Sequence, residues 1–309
     1  MSVSADSTLS EAIEHIRQIG HRAETIYYLY VLDQQRHLVG VISMRDLILS
    51  PSDELIKNVM YDQIVSVYTD TDQEEVARVI QNYDLLAVPV LTKDKKMRGI
   101  VTFDDVMDVL EEEATEDLIS FAGVPKSSAE GEELSVFKTA IKRTPWIILL
   151  IFMGMLVGGL IGVFEDTLQS VLALSVFIPM IIGTGGNVGT QALAVTVRDI
   201  NLKAGSKEKI GDTVKKEFGS GLIIGLISGI ILFVTLIILQ TNFYLSLVVS
   251  LAIFLTICFS SVVGAMVPLI LNKLNIDPAV ASGPFISTII DAIGLLIYFI
   301  IATSLLDYL

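Results

Sequence analysis

Residues 29–47 read LYVLDQQRHLVGVISMRDL, and 59 positions later residues 88–106 read VPVLTKDKKMRGIVTFDDV. Each copy has an apolar run, a polar turn, a second apolar run and the start of an acidic helix, and an amphipathic helix precedes each copy. Strand periodicity changes to helical periodicity at Ser43 and Thr102, whose hydroxyl groups suit the N-terminal cap of a helix. The pattern predicts that the first part of the chain is an α/β repeat.

The motifs GVISMRDL and GIVTFDDV resemble those of a CBS pair, in which two motifs pack into one α/β module. We expect the two motifs to occupy residues 1–57 and 58–120. The resemblance implies a cleft for an adenosine nucleotide such as ATP, with Arg45, Asp46 and Asp105 as candidate binding residues. A second interpretation is that Asp46 and Asp105 only cap or solvate the starts of their helices.

Charge is distributed unequally along the 309 residues. Residues 1–135 contain 26 of the 35 acidic and 11 of the 21 basic residues, so their net charge is −15, while the remainder carries +1. Such an acidic module disfavours nucleic acid as a partner and favours metal cations. The three histidines (His15, His21 and His37) show no zinc or nucleophile–base spacing, so an enzyme is not expected. Cys258 lies in an apolar run and is expected to pack there.

Residues 104–117, DDVMDVLEEEATED, continue the second motif as a predicted helix whose carboxylates recur at i, i+3 and i+4. Asp105, Asp108, Glu112 and Glu116 fall along one stripe of this helix. Like charges at this spacing destabilise a helix by about a few tenths of a kcal/mol per pair, so the stripe favours a neutralising cation. The alternative is a solvated helix face that confers solubility.

A membrane domain follows the acidic module. Residues 125–133, PKSSAEGEE, are a predicted linker. Residues 134–143 are a predicted short basic amphipathic helix on the cytosolic membrane surface or against the pore mouth, ending at Thr144 and Pro145. Five apolar runs follow, each long enough for a bilayer that requires about 20 residues per helix. They lie at residues 145–164, 170–196, 218–240, 245–271 and 284–306. The predicted fold is therefore multi-domain, with residues 121–144 joining an α/β cytosolic module to an all-α transmembrane domain at residues 145–309.

The loops between the predicted spans differ in charge. Residues 198–216 carry one arginine and five lysines, whereas the segment between the first and second spans contains Glu165 and Asp166 and no basic residue. By the positive-inside rule the basic segment is cytosolic, which places the N-terminus inside the cell membrane and the C-terminus outside. Residues 1–20 lack the charged and apolar regions of a secretory signal peptide, which agrees with a cytosolic N-terminus.

Two predicted spans contain unusual polar motifs. In the second, IPMIIGTGGNVGTQ at residues 178–191 places four glycines around Asn187, which predicts a broken or kinked helix whose carbonyl groups face a water-filled path. Close helix packing is the alternative. In the fifth, Asp291 is a carboxylate away from the ends of the span, and no Lys or Arg lies inside any predicted span to pair with it. A mobile cation is its expected partner, and the alternative is a protonated Asp291 hydrogen-bonded between helices.

The order of CBS pair, DVLEEEATED, GTGGNVGTQ and DPAVASGPFISTIIDAIG resembles the MgtE magnesium channels and transporters over essentially the whole chain. The resemblance implies a homodimer with a pore on its axis, lined by the second and fifth spans. It implies a plug helix at residues 134–143. The implied pore residues for Mg²⁺ are Gly186, Asn187, Ser287 and Asp291. The implied regulatory Mg²⁺ ligands are Glu74, Asp84, Asp105, Asp108, Glu113, Glu116 and Asp117.

One feature of the family pattern is missing from these 309 residues, because its members usually carry an acidic helical domain before the CBS pair. A gating site that uses carboxylates of that domain is expected to be incomplete here. The expected function is passive Mg²⁺ uptake across the cell membrane, regulated by cytosolic Mg²⁺ bound to the acidic module. Two alternatives are a membrane-anchored CBS nucleotide sensor without transport and a divalent cation carrier coupled to Na⁺ or H⁺.

Overall fold

The fold is that of a computed structural model. It describes residues 1–124, 135–203, 210–274, 276–278 and 281–309. The chain forms two compact units, Met1–Ala114 and Thr115–Leu309. The predicted linker at residues 125–133 and part of the predicted basic segment at residues 198–216 lie outside the described residues.

The first unit contains two copies of one α/β arrangement, as the internal repeat predicts. Each copy has a three-stranded sheet in chain order, in which the first two strands are parallel and the last two antiparallel. The strands are β1 (Ser2–Ser4), β2 (Tyr28–Leu32), β3 (Leu38–Ser43), β4 (Val67–Tyr68), β5 (Ala87–Leu91) and β6 (Met97–Thr102). The helices are α1 (Leu9–Ile19), α2 (Met44–Leu49), α3 (Ile56–Val59), α4 (Gln73–Asn82) and α5 (Phe103–Phe121).

The two sheets repeat even their irregularity. The antiparallel register shifts between Val31 and Leu32 in the first sheet and between Val90 and Leu91 in the second. These positions are related by the 59-residue offset of the sequence repeat. Each sheet packs on its helices around a separate apolar core. The predicted pair of CBS-like motifs is confirmed as a pair of mixed α/β sheets.

The second unit is helical. Its helices are the end of α5, α6 (Val136–Val163), α7 (Glu165–Ser170), α8 (Ile178–Lys203), α9 (Ile210–Ile238), α10 (Phe243–Lys273) and α11 (Gly283–Ser304). Five of them (α6, α8, α9, α10 and α11) are long and apolar enough to cross a membrane, by length and composition, which confirms the predicted number of spans. Of the five, α10 is the most buried, and it packs against α8, α9 and α11.

The first membrane helix differs from the prediction. The described part of the predicted connecting helix at residues 134–143 does not end at Thr144 and Pro145, because α6 continues through both residues into the first span. Pro145 removes a single backbone donor, and the apolar sequence after it continues the helix. The hydroxyl group of Thr144 donates to the carbonyl oxygen of Ala140 at 2.8 Å inside the same helix. The connecting helix and the first span are therefore one helix.

The second span also differs. α8 is not interrupted at its glycines; the irregular segment is a 3₁₀ helix at Leu172–Phe177 that precedes it. Pro179 lies in the first turn of α8, where a missing backbone donor breaks no helical hydrogen bond. Gly189 lies against the side chain of Ile290 on α11, and its carbonyl oxygen lies where a side chain at Gly264 on α10 would begin. The predicted break is wrong. Gly185, Gly186 and Gly189 lie close to neighbouring helices instead, whereas a Cβ atom at Gly183 would have no neighbour within 4 Å.

Candidate ion-binding site and sensor

α8 and α11 bring three of the predicted pore residues into contact. A Cβ atom at Gly186 on α8 would lie 2.5 Å from Ser287 Oγ and 3.3 Å from Asp291 Oδ1, both on α11. A side chain at this position would displace the Ser287 hydroxyl group, so glycine at residue 186 allows the hydroxyl and carboxyl groups to lie close to the backbone of α8. The predicted set is therefore close in space, and its role in binding Mg²⁺ stays a prediction.

A cavity of about 410 Å³ opens beside this contact. It is lined by Phe121, Ala122, Gly186, Asn187, Thr190, Gly283, Pro284 and Ser287. Asn187, the fourth predicted pore residue, is exposed into this space, and Asp291 lies one helical turn beyond Ser287 along α11. The side-chain amide and hydroxyl groups are ligands that suit Mg²⁺, which retains several of its waters when it binds.

The Asp291 carboxyl group lacks a compensating partner within the described part of the chain. Its Oδ1 atom is buried and accepts no hydrogen bond. Removing an ionised carboxylate from water without a partner is costly in a protein and more so in a bilayer. A cation beside Oδ1 would supply the missing compensation. The alternative of a protonated carboxyl group hydrogen-bonded between helices lacks a partner for this atom among the described residues.

The end of α5 forms one wall of the cavity, which the sequence did not predict. Phe121 and Ala122 line the cavity, and the carbonyl oxygen of Phe121 lies 3.5 Å from the position of a Cβ atom at Gly283. Gly123 ends this turn with φ of 71°, a left-handed conformation that favours glycine at a helix C-terminus. The Gly123 amide donates to Ser120 O at 2.9 Å. The helix that carries the acidic stripe therefore ends at the predicted pore.

Trp146 on α6 holds this turn from the other side. A Cβ atom at Gly123 would collide with the Trp146 indole, so the ring packs directly on the backbone of the turn. The same ring lies 6.4 Å, centroid to centroid, from that of Phe285 at the start of α11. Its Nε1 atom is buried without a hydrogen-bond partner among the described residues. Trp146 thus connects the end of α5 to the beginning of α11.

The seven carboxylates implied as regulatory Mg²⁺ ligands lie on α4, directly after it, and on α5. Glu74 pairs with Arg78 at 2.7 Å, and Glu113 Oε1 accepts a hydrogen bond of 2.8 Å from Gln73 Nε2, which places the start of α4 beside α5. Asp84 follows α4 with φ of 50°. In the described residues, no three His, Cys, Asp or Glu side chains cluster closely enough to hold a metal ion. The regulatory set stays a prediction.

The candidate nucleotide-binding carboxylates take part in the starts of their helices. Ser43 Oγ accepts from the Asp46 amide at 3.1 Å and donates to Asp46 Oδ2 at 2.5 Å, so Ser43 caps α2 as predicted. Asp105 Oδ2 accepts from the Thr102 hydroxyl at 2.5 Å and from its amide at 2.9 Å. The hydrogen bond from the Thr102 hydroxyl group is the main reason that the pKa of the Asp105 carboxyl group lies below its ordinary value, and the bond from the amide adds to it. Asp105 thus accepts from the backbone at the start of its helix, and Asp46 bonds the hydroxyl group of the residue that caps α2. Nucleotide binding by both Asp residues and by the exposed Arg45 stays a prediction.

Thr102→Val is expected to make the stability of the protein less dependent on pH in the acidic range. Because the folded-state pKa of Asp105 is lowered, its contribution to stability is present above the ordinary pKa of about 3.9 and is lost as pH falls through the folded value. Valine fills the buried space of Thr102 and removes the hydroxyl donor. The stability gap between wild type and variant, measured by thermal unfolding in detergent, should narrow on acidification from pH 6 to pH 3.

The matched control is the same substitution in an Asp105→Asn background, where no carboxylate titrates. The gap should then be constant over this range. A gap that narrows equally in both backgrounds would assign the pH dependence to another group.

A carboxyl group with one buried, unpartnered oxygen atom lies beside a cavity that Asn187 and Ser287 line, in a bundle with five apolar helices of membrane-spanning length. This is the arrangement of a membrane transport protein for cations. A family model described as divalent cation transporter matches residues 178–301, and the CBS domain model matches residues 1–53 and 56–112.

Magnesium transporter MgtE of Enterococcus faecalis is 41% identical over 308 residues, covering 100% of this chain and 67% of the relative. Those of Bacillus subtilis (40% identity, 98% of this chain, 66% of the relative) and Thermus thermophilus (37%, 99% and 68%) are similar. The chain belongs to the MgtE family of magnesium transporters and is a multi-pass membrane protein. It spans about two thirds of the length of these relatives.

Two solved structures are similar to about a third of the chain. The soluble part of a magnesium transporter is 47% identical, covering 37% of this chain and 44% of that one, with a TM-score of 0.37. The cytosolic domain of the Mg²⁺ channel MgtE in complex with ATP is 43% identical, covering 35% and 44%, with a TM-score of 0.35.

Proposed function

We propose that this chain conducts Mg²⁺ into the cell along a path between α8 and α11, as a homodimer with the pore on its axis. The observation that carries the proposal is the buried Asp291 Oδ1 atom, which has no hydrogen-bond partner among the described residues and lies beside Gly186 and Ser287. In such a site a divalent cation replaces the hydration that the carboxylate loses. Asn187 and Ser287 then offer oxygen atoms to the waters that Mg²⁺ retains.

Transport by this path is passive. A divalent cation that moves inward through 100 mV gains about 4.6 kcal/mol, twice the value for a single charge. This gain is enough to drive uptake without ATP hydrolysis or a coupled ion. The proposed orientation has the N-terminus and the acidic unit in the cytosol and the C-terminus outside, because the basic residues are concentrated in the segment between the second and third spans.

Regulation acts through α5 in this proposal. When cytosolic Mg²⁺ is scarce, the carboxylates of the acidic stripe repel one another, and the end of α5 moves away from the cavity that Phe121 and Ala122 line. When Mg²⁺ is abundant, it bridges the regulatory carboxylates and holds α5 and the start of α6, which includes the predicted plug residues 136–143, in the closed arrangement. Mg²⁺ can shift the equilibrium between the open and closed arrangements only by as much as its affinities for the two states differ.

ATP is proposed as a second ligand of the first unit, near Arg45 and Asp46. Adenosine nucleotides are what the resemblance to CBS pairs implies for this cleft. The hydrogen bonds between Asp46 and Ser43 already fix the local backbone, so a ribose hydroxyl group would add to a preformed helix start.

Flux of Mg²⁺ into liposomes that contain the purified 309-residue chain tests the proposed function. We expect uptake that follows the membrane potential, requires no Na⁺ or H⁺ gradient, and falls as Mg²⁺ on the cytosolic side rises, measured with and without ATP. Nucleotide binding with no flux would favour a membrane-anchored sensor instead. Flux that stops when the Na⁺ and H⁺ gradients are removed would favour a coupled carrier.

A further inference from the structure

Thr256 lies on α10, outside the cavity, between the two helices that the proposed function assigns to the pore. Its Cγ2 atom lies 2.8 Å from the position of a Cβ atom at Gly185 on α8 and 2.9 Å from that at Gly294 on α11. Thr256 is 1% exposed. The methyl group of Thr256 on α10 therefore fills the space between Gly185 on α8 and Gly294 on α11.

The two glycines are close to the predicted pore residues along their helices. Gly185 directly precedes Gly186, whose backbone faces Ser287 and Asp291. Gly294 follows Asp291 by three residues, which is about 4.5 Å along the helix and on a neighbouring face. A change in the volume of residue 256 therefore acts on α8 and α11 at the level of the Asp291 carboxyl group.

The hydroxyl group of Thr256 does not explain the choice of this residue. Its Oγ1 atom is buried and makes no hydrogen bond in the part of the chain that the structure describes. A buried polar atom without a partner is unfavourable. The contribution that the contacts support is the shape of the β-branched side chain, and above all its methyl group.

We propose that Thr256 is a positioning residue that sets the separation of α8 and α11 and so determines which divalent cations pass Asp291. The proposal rests on the proposed function, because it takes these two helices as the walls of the path. Protein interiors are packed too densely for a methyl group to be added or removed without a local shift. A small change in helix separation alters the space left for a partly hydrated cation, and Mg²⁺ and Ca²⁺ differ in size and in the rigidity of their coordination.

Three variants test this by moving one methyl group across the gap. Gly294→Ala adds a methyl group that collides with Thr256 and pushes α11 away from α10, so the ratio of Mg²⁺ to Ca²⁺ flux should fall. Thr256→Ser removes the methyl group and lets the helices approach, so the ratio should change in the opposite direction with slower total flux. Because a packed interior shifts when one methyl group is added or removed, each single variant should change the ratio by more than about twofold. The double variant restores the filled volume and should return the ratio to within about twofold of wild type.

Two control variants separate positioning from folding. Thr256→Val keeps the methyl group and removes the unpartnered hydroxyl group, so the flux ratio should be that of the wild type. Gly225→Ala crowds the opposite side of α10, because its Cβ atom would lie 2.9 Å from the carbonyl oxygen of Phe254, and it should lower thermal stability without a change in the ratio.

The result that would overturn the proposal is normal wild-type flux with an unchanged Mg²⁺ to Ca²⁺ ratio in both Gly294→Ala and Thr256→Ser. A double variant no closer to wild type than either single variant would also overturn it. Absence of Mg²⁺ flux in the wild type, measured in the same liposomes, would instead overturn the proposed function on which the inference rests.

Discussion

Asp291→Asn is expected to abolish Mg²⁺ uptake while the protein stays folded. Asparagine has nearly the shape of aspartate, so the packing of α11 on Gly186 remains, but the charge that attracts the cation is lost. A loss of about 3 kcal/mol in ion stabilisation lowers flux by about a hundredfold, since each 1.4 kcal/mol is a factor of ten. Thermal stability in detergent should equal or exceed that of the wild type, because an unpaired buried charge has been removed. Radiotracer or dye-based flux in liposomes measures the first effect.

The matched control is Asp307→Asn, which removes a carboxylate from the same end of the chain, beyond α11. This variant should keep flux within about twofold of wild type, because an exposed charge outside the path is screened by salt. Intact Mg²⁺ flux in Asp291→Asn would remove Asp291 from the mechanism and with it the path between α8 and α11.

Neutralising four of the predicted regulatory carboxylates on α5 is expected to keep the channel open at Mg²⁺ concentrations that close the wild type. The variant combines Asp105→Asn, Asp108→Asn, Glu113→Gln and Glu116→Gln on α5. Without these charges Mg²⁺ gains little by binding to the closed state and cannot shift the equilibrium. The Mg²⁺ concentration for half-closure in patch recordings should rise about 5- to 150-fold, the range of coupling between distant sites.

The control for this variant changes the same number of charges elsewhere in the first unit. Glu24→Gln, Asp53→Asn, Asp62→Asn and Asp94→Asn are exposed residues outside α5. They alter the net charge equally, so any effect of overall charge on local Mg²⁺ concentration should appear in both variants. Equal half-closure concentrations in the two variants would refute regulation by the α5 carboxylates, and unchanged closure in the α5 variant would refute it directly.

The repeat and the number of spans could be predicted from the sequence because both depend on local signals. Alternating apolar residues followed by Ser43 or Thr102 specify a strand that leads into a helix, and the structure has a strand and a helix at both places, with Ser43 as the N-cap of α2. Runs of more than 20 apolar residues specify a span by length alone. These signals need no knowledge of neighbouring elements.

The errors occurred where tertiary packing outweighs a local signal. Pro145 and the glycines of α8 are helix-breaking residues in isolation, and both helices continue through them. Gly189 of α8, for example, lies against the Ile290 side chain of α11, and its carbonyl oxygen lies close to Gly264 of α10. The sequence shows which residues are small enough to allow two helices to pack closely, but it does not show which helix packs against them.

The candidate site could be predicted only where its residues have a local signal in the sequence. Asp291 was evident because an isolated carboxylate in an apolar run is rare, and Gly186 and Ser287 do lie beside it. Phe121 and Ala122 were missed, since nothing near them in the sequence indicates a contact with residues 186 or 283. Gly283 and Phe285 likewise carry no local signal of their contacts, which are with the end of α5 for Gly283 and with Trp146 for Phe285.

The position of Trp146 has a practical consequence, because the chain contains one tryptophan. Its indole ring packs between the backbone of Gly123 and the ring of Phe285. The tryptophan fluorescence of the unlabelled protein, excited selectively over its tyrosines, therefore originates where the end of α5 meets the start of α11. Emission wavelength and accessibility to a quencher such as iodide can follow the rearrangement of that junction in real time, with no introduced dye.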